Sequence, residues 1–314
     1  MRVGMCLLVW FAVAVSLVAT TAAADPYVCG DTNGDGMTNI TDVVFILDYV
    51  FDSGNAPNPM LSGDAEGNGT VEITDAVFLI QWIFNDGPPP VCECGYLVDI
   101  DGNAYMTVRI GDRCWMAQDL NVTHYRNGDQ IPRVNDPAIW PSLRSGAFCE
   151  YDTVSASAET YGRLYNFYAV FDSRGIAPED WHLPSDDEWK QLEMYLGMSP
   201  SEADTNGWRG TDEGGKLKEI GTTHWNLPNE GASNETGFTS LPGGMRIYDG
   251  SFVGLGDIAV FWSSTDIKGY GAWDRALHFE YSAISRAFFG REGGASVRCV
   301  RDLPNPNSRS RQQP

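Results

Sequence analysis

The sequence predicts an α+β protein in which a small all-α module precedes a larger domain that mixes strands with helix. Two observations predict the module: a loop-and-helix unit occurs twice in succession, and three prolines follow the second copy. Past residue 95 the sequence changes to short alternating runs, many glycines and one clear helix, which predicts the larger domain. The chain has 314 residues and 43% hydrophobic content, enough for a small module and one sizeable core.

Residues 1–24 are predicted to form a signal peptide. A single arginine precedes an apolar run, and residues 22–24 are alanines, the small-residue pattern of a signal-peptidase site. We therefore expect a secreted protein that begins at Asp25 and acts in the extracellular space or at the cell surface. The apolar run is short for a membrane span and no later stretch is long or apolar enough, so no membrane insertion is expected.

The predicted module, residues 25–87, contains the duplicated unit. Residues 31–42 read DTNGDGMTNITD and residues 64–75 read DAEGNGTVEITD, and the offset of 33 residues continues through the helix that follows each loop. A repeat maintained over a loop and a helix indicates one structural unit present twice.

Both loops carry oxygen donors at the spacing of a calcium site. A twelve-residue calcium loop takes ligands from positions one, three, five, seven, nine and twelve and has glycine at position six. The first predicted ligand set is Asp31, Asn33, Asp35, the Met37 carbonyl, Asn39 and Asp42. The second is Asp64, Glu66, Asn68, the Thr70 carbonyl, Glu72 and Asp75. We expect two calcium ions, although Glu66 is longer than the usual ligand at its position.

The charge distribution agrees with a cation-binding module. Residues 25–94 contain twelve acidic residues and no lysine or arginine, and so hold −12 of the formal net charge of −21. Carboxylates crowded at ligand spacing repel one another until a metal neutralises them. No basic patch occurs anywhere in the sequence, so nucleic acid is not an expected partner.

Each loop ends in Asp where an EF-hand has Glu, and the segment before the first loop is short and contains Pro26, so no helix can precede it. Loop then helix, duplicated and closed by Asp, resembles the dockerin module over about residues 30–90. The resemblance implies half an EF-hand pair that binds calcium and a cohesin-like partner, often on extracellular polysaccharide-degrading assemblies. The alternative is a pair of turns, because Asn, Asp and Gly favour turns.

The helices carry apolar side chains on two sides. At 100° per residue, a predicted core face on the first helix comprises Ile40, Val43, Val44, Leu47, Val50 and Phe51. Phe45 and Tyr49 then point the opposite way, as do Phe78 and Trp82 in the second copy. We predict that these four aromatic residues bind the partner; the alternative is that the larger domain folds back and covers them.

Six cysteines follow the predicted signal peptide: Cys29, Cys92, Cys94, Cys114, Cys149 and Cys299. An even count in an exported protein indicates disulfides. We expect Cys29 to pair with Cys92 or Cys94 across the ends of the module, and the remaining pairings stay open. Residues 88–94, rich in proline and cysteine, are the predicted linker, and residues 303–314 are a predicted disordered tail.

Within residues 95–302 two local signals are clear. Residues 96–111 alternate and turn at an Asp-Gly-Asn sequence, which predicts a β-hairpin. Ser185 followed by Glu188 is a capping box that begins a helix, and Gly197 can end it. Because carboxylates in a first turn are stabilised by the helix dipole, we interpret Asp186, Asp187 and Glu188 as structural rather than catalytic.

The same region resembles a second family. The matching runs are IGDRCWMAQDL at 110–120, GRLYNFYAV at 162–170, WHLPS at 181–185, GFTSLPGG at 237–244, FWSST at 261–265 and SVRCVRD at 296–302. They resemble the Fibrobacter major paralogous domain, which implies a fold like those of C-type lectins and formylglycine-generating enzymes. The family has no well-established activity, so the resemblance implies a fold and not a reaction.

Three kinds of function would each require different residues in this domain. A sugar-binding lectin would use exposed tryptophans, and the candidates in predicted loops are Trp140, Trp208, Trp225 and Trp273. Trp181 and Trp262 lie in the matching runs and Trp189 closely follows one, and all three are predicted to be core residues, as is His182. A formylglycine-type oxidase would need a pair of nearby cysteines, and only Cys299 lies near the C-terminal end. A hydrolase would show a catalytic constellation, and none is evident.

The sequence therefore predicts a non-catalytic, calcium-dependent docking protein that displays a lectin-like domain. Its predicted partner is a cohesin-like module, plausibly in an extracellular polysaccharide-degrading assembly, and a glycan is a second possible ligand. The first alternative is a carbohydrate-binding or adhesion protein whose module is stabilised by calcium. The second is an enzyme of polysaccharide breakdown.

Overall fold

A computed structural model describes residues 29–57, 60–67, 70–85, 87, 90, 94 and 96–302. The predicted signal peptide, the predicted tail and most of the predicted linker lie outside the described residues. We call the helical part up to residue 87 the N-terminal module and the part from Cys94 to Asp302 the β-rich domain.

The N-terminal module contains two α-helices, α1 (Ile40–Asp52) and α2 (Ile73–Phe84), with a 3₁₀ turn at Met60–Gly63. Each helix begins at the last residues of a repeat loop, because the closing Asp of the loop caps it. The Asp42 carboxylate accepts the Asn39 N–H at 2.8 Å, and the Asp75 carboxylate accepts the Glu72 N–H at 2.9 Å.

The helices pack on a small core formed by Val43, Ile46, Ala65, Ala76 and Leu79. This corrects the predicted core face of α1. Val43 is buried, and Leu47 and Val50 pack against the core, but Ile40, Val44 and Phe51 are exposed.

The reason for the difference is the rotation of the helix about its axis. Asp42 is fully buried against the loop, and this places its neighbours Val43 and Ile46 towards the partner helix. A periodicity count identifies which residues share a face, but it does not specify which face the loop turns inward.

The β-rich domain contains thirteen strands in the described residues. They are β1 (Tyr96–Val98), β2 (Ala104–Ile110), β3 (Arg113–Met116), β4 (Phe148–Cys149), β5 (Leu164–Asn166), β6 (Gly207–Arg209), β7 (Gly243–Arg246), β8 (Phe252–Leu255), β9 (Ile258–Asp266), β10 (Gly271–His278), β11 (Ile284–Gly290), β12 (Gly294–Ala295) and β13 (Val300–Asp302). The helices are α3 (Ser157–Tyr161), α4 (Phe167–Val170), α5 (Asp186–Tyr195), α6 (Pro200–Ala203) and α7 (Glu213–Leu217).

These strands form two sheets. The smaller has the order β1-β2-β3-β13, and the larger has the order β4-β5-β12-β7-β9-β10-β11-β6, with β8 paired to β7. The predicted hairpin is present as antiparallel β1 and β2, with Leu97 opposite Tyr105. Because helices and mostly antiparallel strands are both present, the α+β prediction is confirmed.

Helix α5 begins and ends as predicted. Ser185 caps it, with the Glu188 carboxylate returning to the Ser185 N–H at 2.8 Å, and Gly197 follows with φ +125°. Its buried Trp189 packs on Phe261 of β9 with ring centroids 5.8 Å apart. The helix therefore covers one face of the larger sheet.

The framework tryptophans are core residues, as predicted: Trp181, Trp189 and Trp262 are all buried. His182 is not a core residue, and this prediction is wrong. Its side chain is 44% exposed and its Nε2 lies 2.7 Å from the Glu188 carboxylate, a hydrogen bond that raises the pKa of His182. His182 therefore lies among the polar residues next to the N-terminal cap of α5.

One disulfide is described, Cys94–Cys114, which links the start of the β-rich domain to β3. The prediction that Cys29 pairs with Cys94 is therefore wrong, because β1 and β2 bring Cys94 back to β3 instead. Cys29 is itself disulfide-bonded. Cys92 lies outside the described residues, so a Cys29–Cys92 pair stays a prediction. None of the described helices combines the length and the apolar character needed to cross a membrane.

Candidate functional site

The first half of the first repeat loop coils around the buried carboxylate of Asp31. Asp31 accepts three backbone N–H groups, from Gly34 at 2.9 Å, Asp35 at 3.0 Å and Gly36 at 2.8 Å. Gly34 and Gly36 have φ of +76° and +85°, a left-handed conformation that glycine adopts without strain. The two glycines thus allow the chain to turn tightly enough for its N–H groups to reach Asp31.

The other predicted ligands of this loop are oriented by short-range bonds. The Asn33 Oδ1 accepts the Asp35 N–H, and the Asp35 Oδ1 accepts the Met37 N–H, each at 2.9 Å. Asp42 closes the loop: its Oδ1 accepts the N–H of Thr32 at 2.8 Å and of Asn33 at 3.2 Å. The closing Asp therefore joins the first residues of the loop to the first turn of α1.

The second loop repeats this closure. The Asp75 Oδ1 accepts the Glu66 N–H at 3.1 Å, and the Thr74 hydroxyl donates to the carboxylates of Glu66 and Glu72. Burial raises the pKa of Asp75 to about 6, and the nearby Asp64 and Glu66 carboxylates add to the rise. Asn68, a predicted ligand, lies outside the described residues.

The donor chemistry of the loops fits calcium. Carboxylate, amide and backbone carbonyl oxygens are the ligands that a hard cation prefers, and the bonds to Asp31 and Asp42 wrap the first loop around its oxygen-bearing side chains. In the part of the chain that the structure describes, no group of three or more His, Cys, Asp or Glu side chains converges closely enough to hold a metal. The carboxylates instead accept backbone N–H groups, which compensate part of their charge.

An apolar surface runs along the outside of both helices. It consists of Ile40, Val44 and Phe51 on α1 and of Ile73, Val77 and Phe84 on α2, and we call these six residues the repeat stripe. Their exposed fractions are 46, 60 and 63% on α1 and 47, 49 and 62% on α2. The two halves correspond position by position at the repeat offset, so the sequence duplication becomes a duplicated surface.

The sequence prediction did not identify the repeat stripe. It selected Phe45, Tyr49, Phe78 and Trp82, which are half-buried. Phe78, for example, packs against the core cluster. A usable signal was present in the sequence. When the side chain of Asp42 is turned inward, the residues at positions −2, +2 and +9 from it, which are Ile40, Val44 and Phe51, lie on the opposite side of the helix at 100° per residue.

The four candidate tryptophans of the β-rich domain have three different environments. Trp140 and Trp225 are buried, and their indole N–H groups donate to the carbonyls of Glu292 and Ser240 at 2.9 Å. Neither side chain therefore has the exposure that a stacking role requires, although Trp225 does lie in a loop as predicted. Trp273 is half-buried, with the Arg286 guanidinium carbon 3.6 Å from its ring centroid. Trp208 is exposed.

The free cysteines in the described residues, Cys149 and Cys299, are both buried. Burial raises the pKa of the Cys149 thiol to about 12 and raises that of Cys299 further. Both thiols therefore remain protonated at neutral pH, and a protonated, inaccessible thiol fits a packing role.

Two family models match the chain. The model described as the Fibrobacter succinogenes major domain covers residues 108–301, and the model of the dockerin type I domain covers residues 29–84. No curated protein and no solved structure matches the chain. Both resemblances inferred from the sequence are thereby confirmed, in the same order along the chain. The chain carries a dockerin type I domain at residues 29–84 and belongs to the Fibrobacter succinogenes major domain family.

Proposed function

We propose that this protein is a secreted, non-catalytic docking protein whose dockerin domain binds a cohesin-like module and so displays the β-rich domain on a larger assembly. The observation that carries the proposal is the repeat stripe, an apolar surface present twice on a small acidic module. Exposed apolar patches on soluble proteins mark interaction surfaces, because solvent contact with apolar area is unfavourable.

The stripe has the geometry of a helix-borne docking surface. Ile40, Val44 and Phe51 fall within about 40° of one another around α1 at 100° per residue. Each is exposed although the same helix buries Val43 and Ile46. The equivalent half on α2 offers a second, repeat-related surface, so the partner has two equivalent ways to bind. Phe45, Tyr49, Phe78 and Trp82, which are half-buried, remain predicted contact residues.

Calcium would hold the two loops in the shape that positions the helices. In the first loop the ion would be held by Asp31, Asn33, Asp35, the Met37 carbonyl, Asn39 and Asp42. In the second it would be held by Asp64, Glu66, Asn68, the Thr70 carbonyl, Glu72 and Asp75. The ions supply positive charge that the module lacks, since residues 25–94 contain no lysine or arginine.

The family context supports an extracellular or cell-surface location and a polysaccharide-degrading assembly. The predicted signal peptide and the dockerin match support export. The alternative is an adhesion or carbohydrate-binding protein in which calcium only stabilises the module. The two proposals differ in one respect: only the docking protein should bind a cohesin module in a calcium-dependent way.

Calorimetry of the full chain with recombinant cohesin modules from the producing organism tests the proposal. We expect binding in calcium and none in chelator. Combining Val44→Ser, Phe51→Ser, Val77→Ser and Phe84→Ser should weaken binding by about 100-fold or more, because the central apolar contacts dominate such interfaces. If the two surfaces are equivalent, either pair of changes alone should leave most of the affinity.

The matched control is Asp52→Ser, an exposed polar position on α1, which should bind like the parent. A second variant, Phe45→Ser with Tyr49→Ser, tests the residues predicted from the sequence. Each variant is first checked for helical circular dichroism in calcium. Full affinity in the folded four-site variant would show that the repeat stripe is not the docking surface.

A further inference from the structure

Three aromatic side chains meet at the open edge of the larger sheet. Trp208 lies in edge strand β6, His278 ends β10, and Tyr281 lies in the following turn. The Trp208 and Tyr281 ring centroids are 4.7 Å apart, and the His278 ring lies 5.2 Å from Tyr281 and 6.0 Å from Trp208. We call these three residues the aromatic platform.

The platform presents both apolar and polar groups to solvent. Trp208 is 42% exposed and Tyr281 is 43% exposed. Among the described residues, neither the Trp208 indole N–H nor the Tyr281 hydroxyl has a hydrogen-bond partner. The buried Trp140 and Trp225, by contrast, each donate to a backbone carbonyl. The indole N–H and the phenol hydroxyl of the platform are therefore available to a ligand next to the apolar faces of the rings.

Histidine 278 positions the platform. The Nδ1 of His278 accepts the Glu280 N–H at 3.3 Å, which orients the ring against Tyr281. Other exposed tyrosines differ in this respect. Tyr195, Tyr248 and Tyr270 are more exposed, but none has an aromatic neighbour in the described part of the chain. The three rings of the platform contact one another and so restrict one another's motion, which lowers the side-chain entropy lost when a ligand binds.

We infer that the aromatic platform binds the sugar rings of a polysaccharide. The C–H face of a pyranose is apolar and can stack on Trp208 and Tyr281, while its hydroxyls can accept from the indole N–H and exchange hydrogen bonds with the phenol. The inference goes beyond the docking function, because it assigns a ligand to the displayed domain.

Two other classes of ligand also stack on aromatic rings, and the structure disfavours both. Nucleic acid would bring phosphates to a chain of net charge −21, next to Glu280, whose side chain is 55% exposed. A stable protein partner usually buries about 800 Å² on each side, far more than two partly exposed rings offer. A sugar chain needs neither positive charge nor a large surface.

Affinity electrophoresis of the full chain in calcium tests the inference, with soluble cellulose ether, xylan, mannan and dextran as probes. We expect at least one to retard the parent. Trp208→Ala and Tyr281→Ala should each weaken that binding about tenfold. Trp208→Phe and Tyr281→Phe keep the rings and remove the polar tips, so they should show intermediate losses. Tyr248→Ala and Tyr270→Ala are the matched controls and should bind like the parent.

A second readout is tryptophan fluorescence. Trp208 is the tryptophan with an exposed side chain in the described residues, so the polysaccharide should protect the parent, and not Trp208→Phe, from acrylamide quenching. Binding should persist in chelator, which separates this site from cohesin docking. Retardation by none of the four probes, undiminished binding by both alanine variants, or preferential binding of a single-stranded oligonucleotide would overturn the inference.

Discussion

The N-terminal module and the β-rich domain differ in the groups that compensate their buried carboxylates. In the N-terminal module the buried Asp42 and Asp75 accept backbone N–H groups, and no lysine or arginine lies between residues 25 and 94. In the β-rich domain, several buried acids instead face arginines. The Glu193 carboxylate forms ion pairs with Arg209 and Arg275, and Arg275 also pairs with Asp186.

The network around Glu193 extends across the larger sheet. Asp186 receives two hydrogen bonds from Arg286, at 2.8 and 2.7 Å, and its Oδ1 lies 2.9 Å from Arg275. Burial opposes ionisation of Asp186, but these guanidinium groups and Lys190 outweigh it and lower its pKa. The β-rich domain therefore supplies its own counter-charges, whereas the module must obtain them from solution.

The largest effect that tests this comparison is chelation. The described residues of the module give it a small buried core cluster, and its carboxylates repel one another without a cation, so the module should lose its helical structure in EDTA. The β-rich domain should keep its unfolding transition. Scanning calorimetry of the full chain, in calcium and in EDTA, measures both transitions in one sample. A module transition that persists in EDTA would show that the loops fold without metal.

The next effect should come from breaking the internal counter-charges. Glu193→Gln leaves the buried Arg209 without a carboxylate and Arg275 with Asp186 alone, which should destabilise the β-rich domain by about 3–5 kcal/mol. Urea unfolding in calcium measures the loss, and the transition of the module should not move. Glu159→Gln, an exposed site on α3, is the control. Equal midpoints for parent and Glu193→Gln would mean that the pairs contribute nothing.

The smallest effect concerns Asp274, a buried acid of the β-rich domain whose pKa is raised rather than lowered. Asp274 is buried in β10, and burial raises its pKa to about 7, although Arg275 lowers it in part. The native state keeps the proton up to about pH 7 while the unfolded chain releases it near pH 4, so stability falls as the pH rises through this window. Asp274→Asn removes that dependence.

We expect Asp274→Asn to match the parent near pH 4 and to exceed its stability at pH 8 by at most about 4 kcal/mol. Thermal melts of both proteins across this range measure the difference, with the exposed Asp112→Asn as control. Melting temperatures that stay parallel from pH 4 to pH 8 would show that Asp274 is ionised in the native state.

Local signals in the sequence predicted much of this structure. The Ser185 and Glu188 capping box, the first hairpin and the repeat loops each depend on residues within a few positions of one another, so short-range chemistry specifies them. Burial of Trp140 depends on the carbonyl of Glu292, which is 152 residues away. No local pattern contains such a contact.

The core face of α1 was mispredicted for a related reason. Periodicity grouped the residues of α1 correctly in part, but the buried Asp42 determines which group turns inward, and that contact belongs to the loop. The Cys94–Cys114 bond was likewise left open by the sequence, because it requires β1, β2 and β3 to be assembled first.

The Cys94–Cys114 bond also determines how the β-rich domain would carry mechanical load. If the module is held by a partner while flow pulls on the rest of the chain, tension enters through the linker and reaches Cys94 first. The disulfide transmits it directly to β3, so the intervening β1 and β2 cannot be peeled away. β3 also pairs with β13, the last described strand, and this antiparallel pair would then bear the force. The first strands of the domain are thus protected from unravelling under traction.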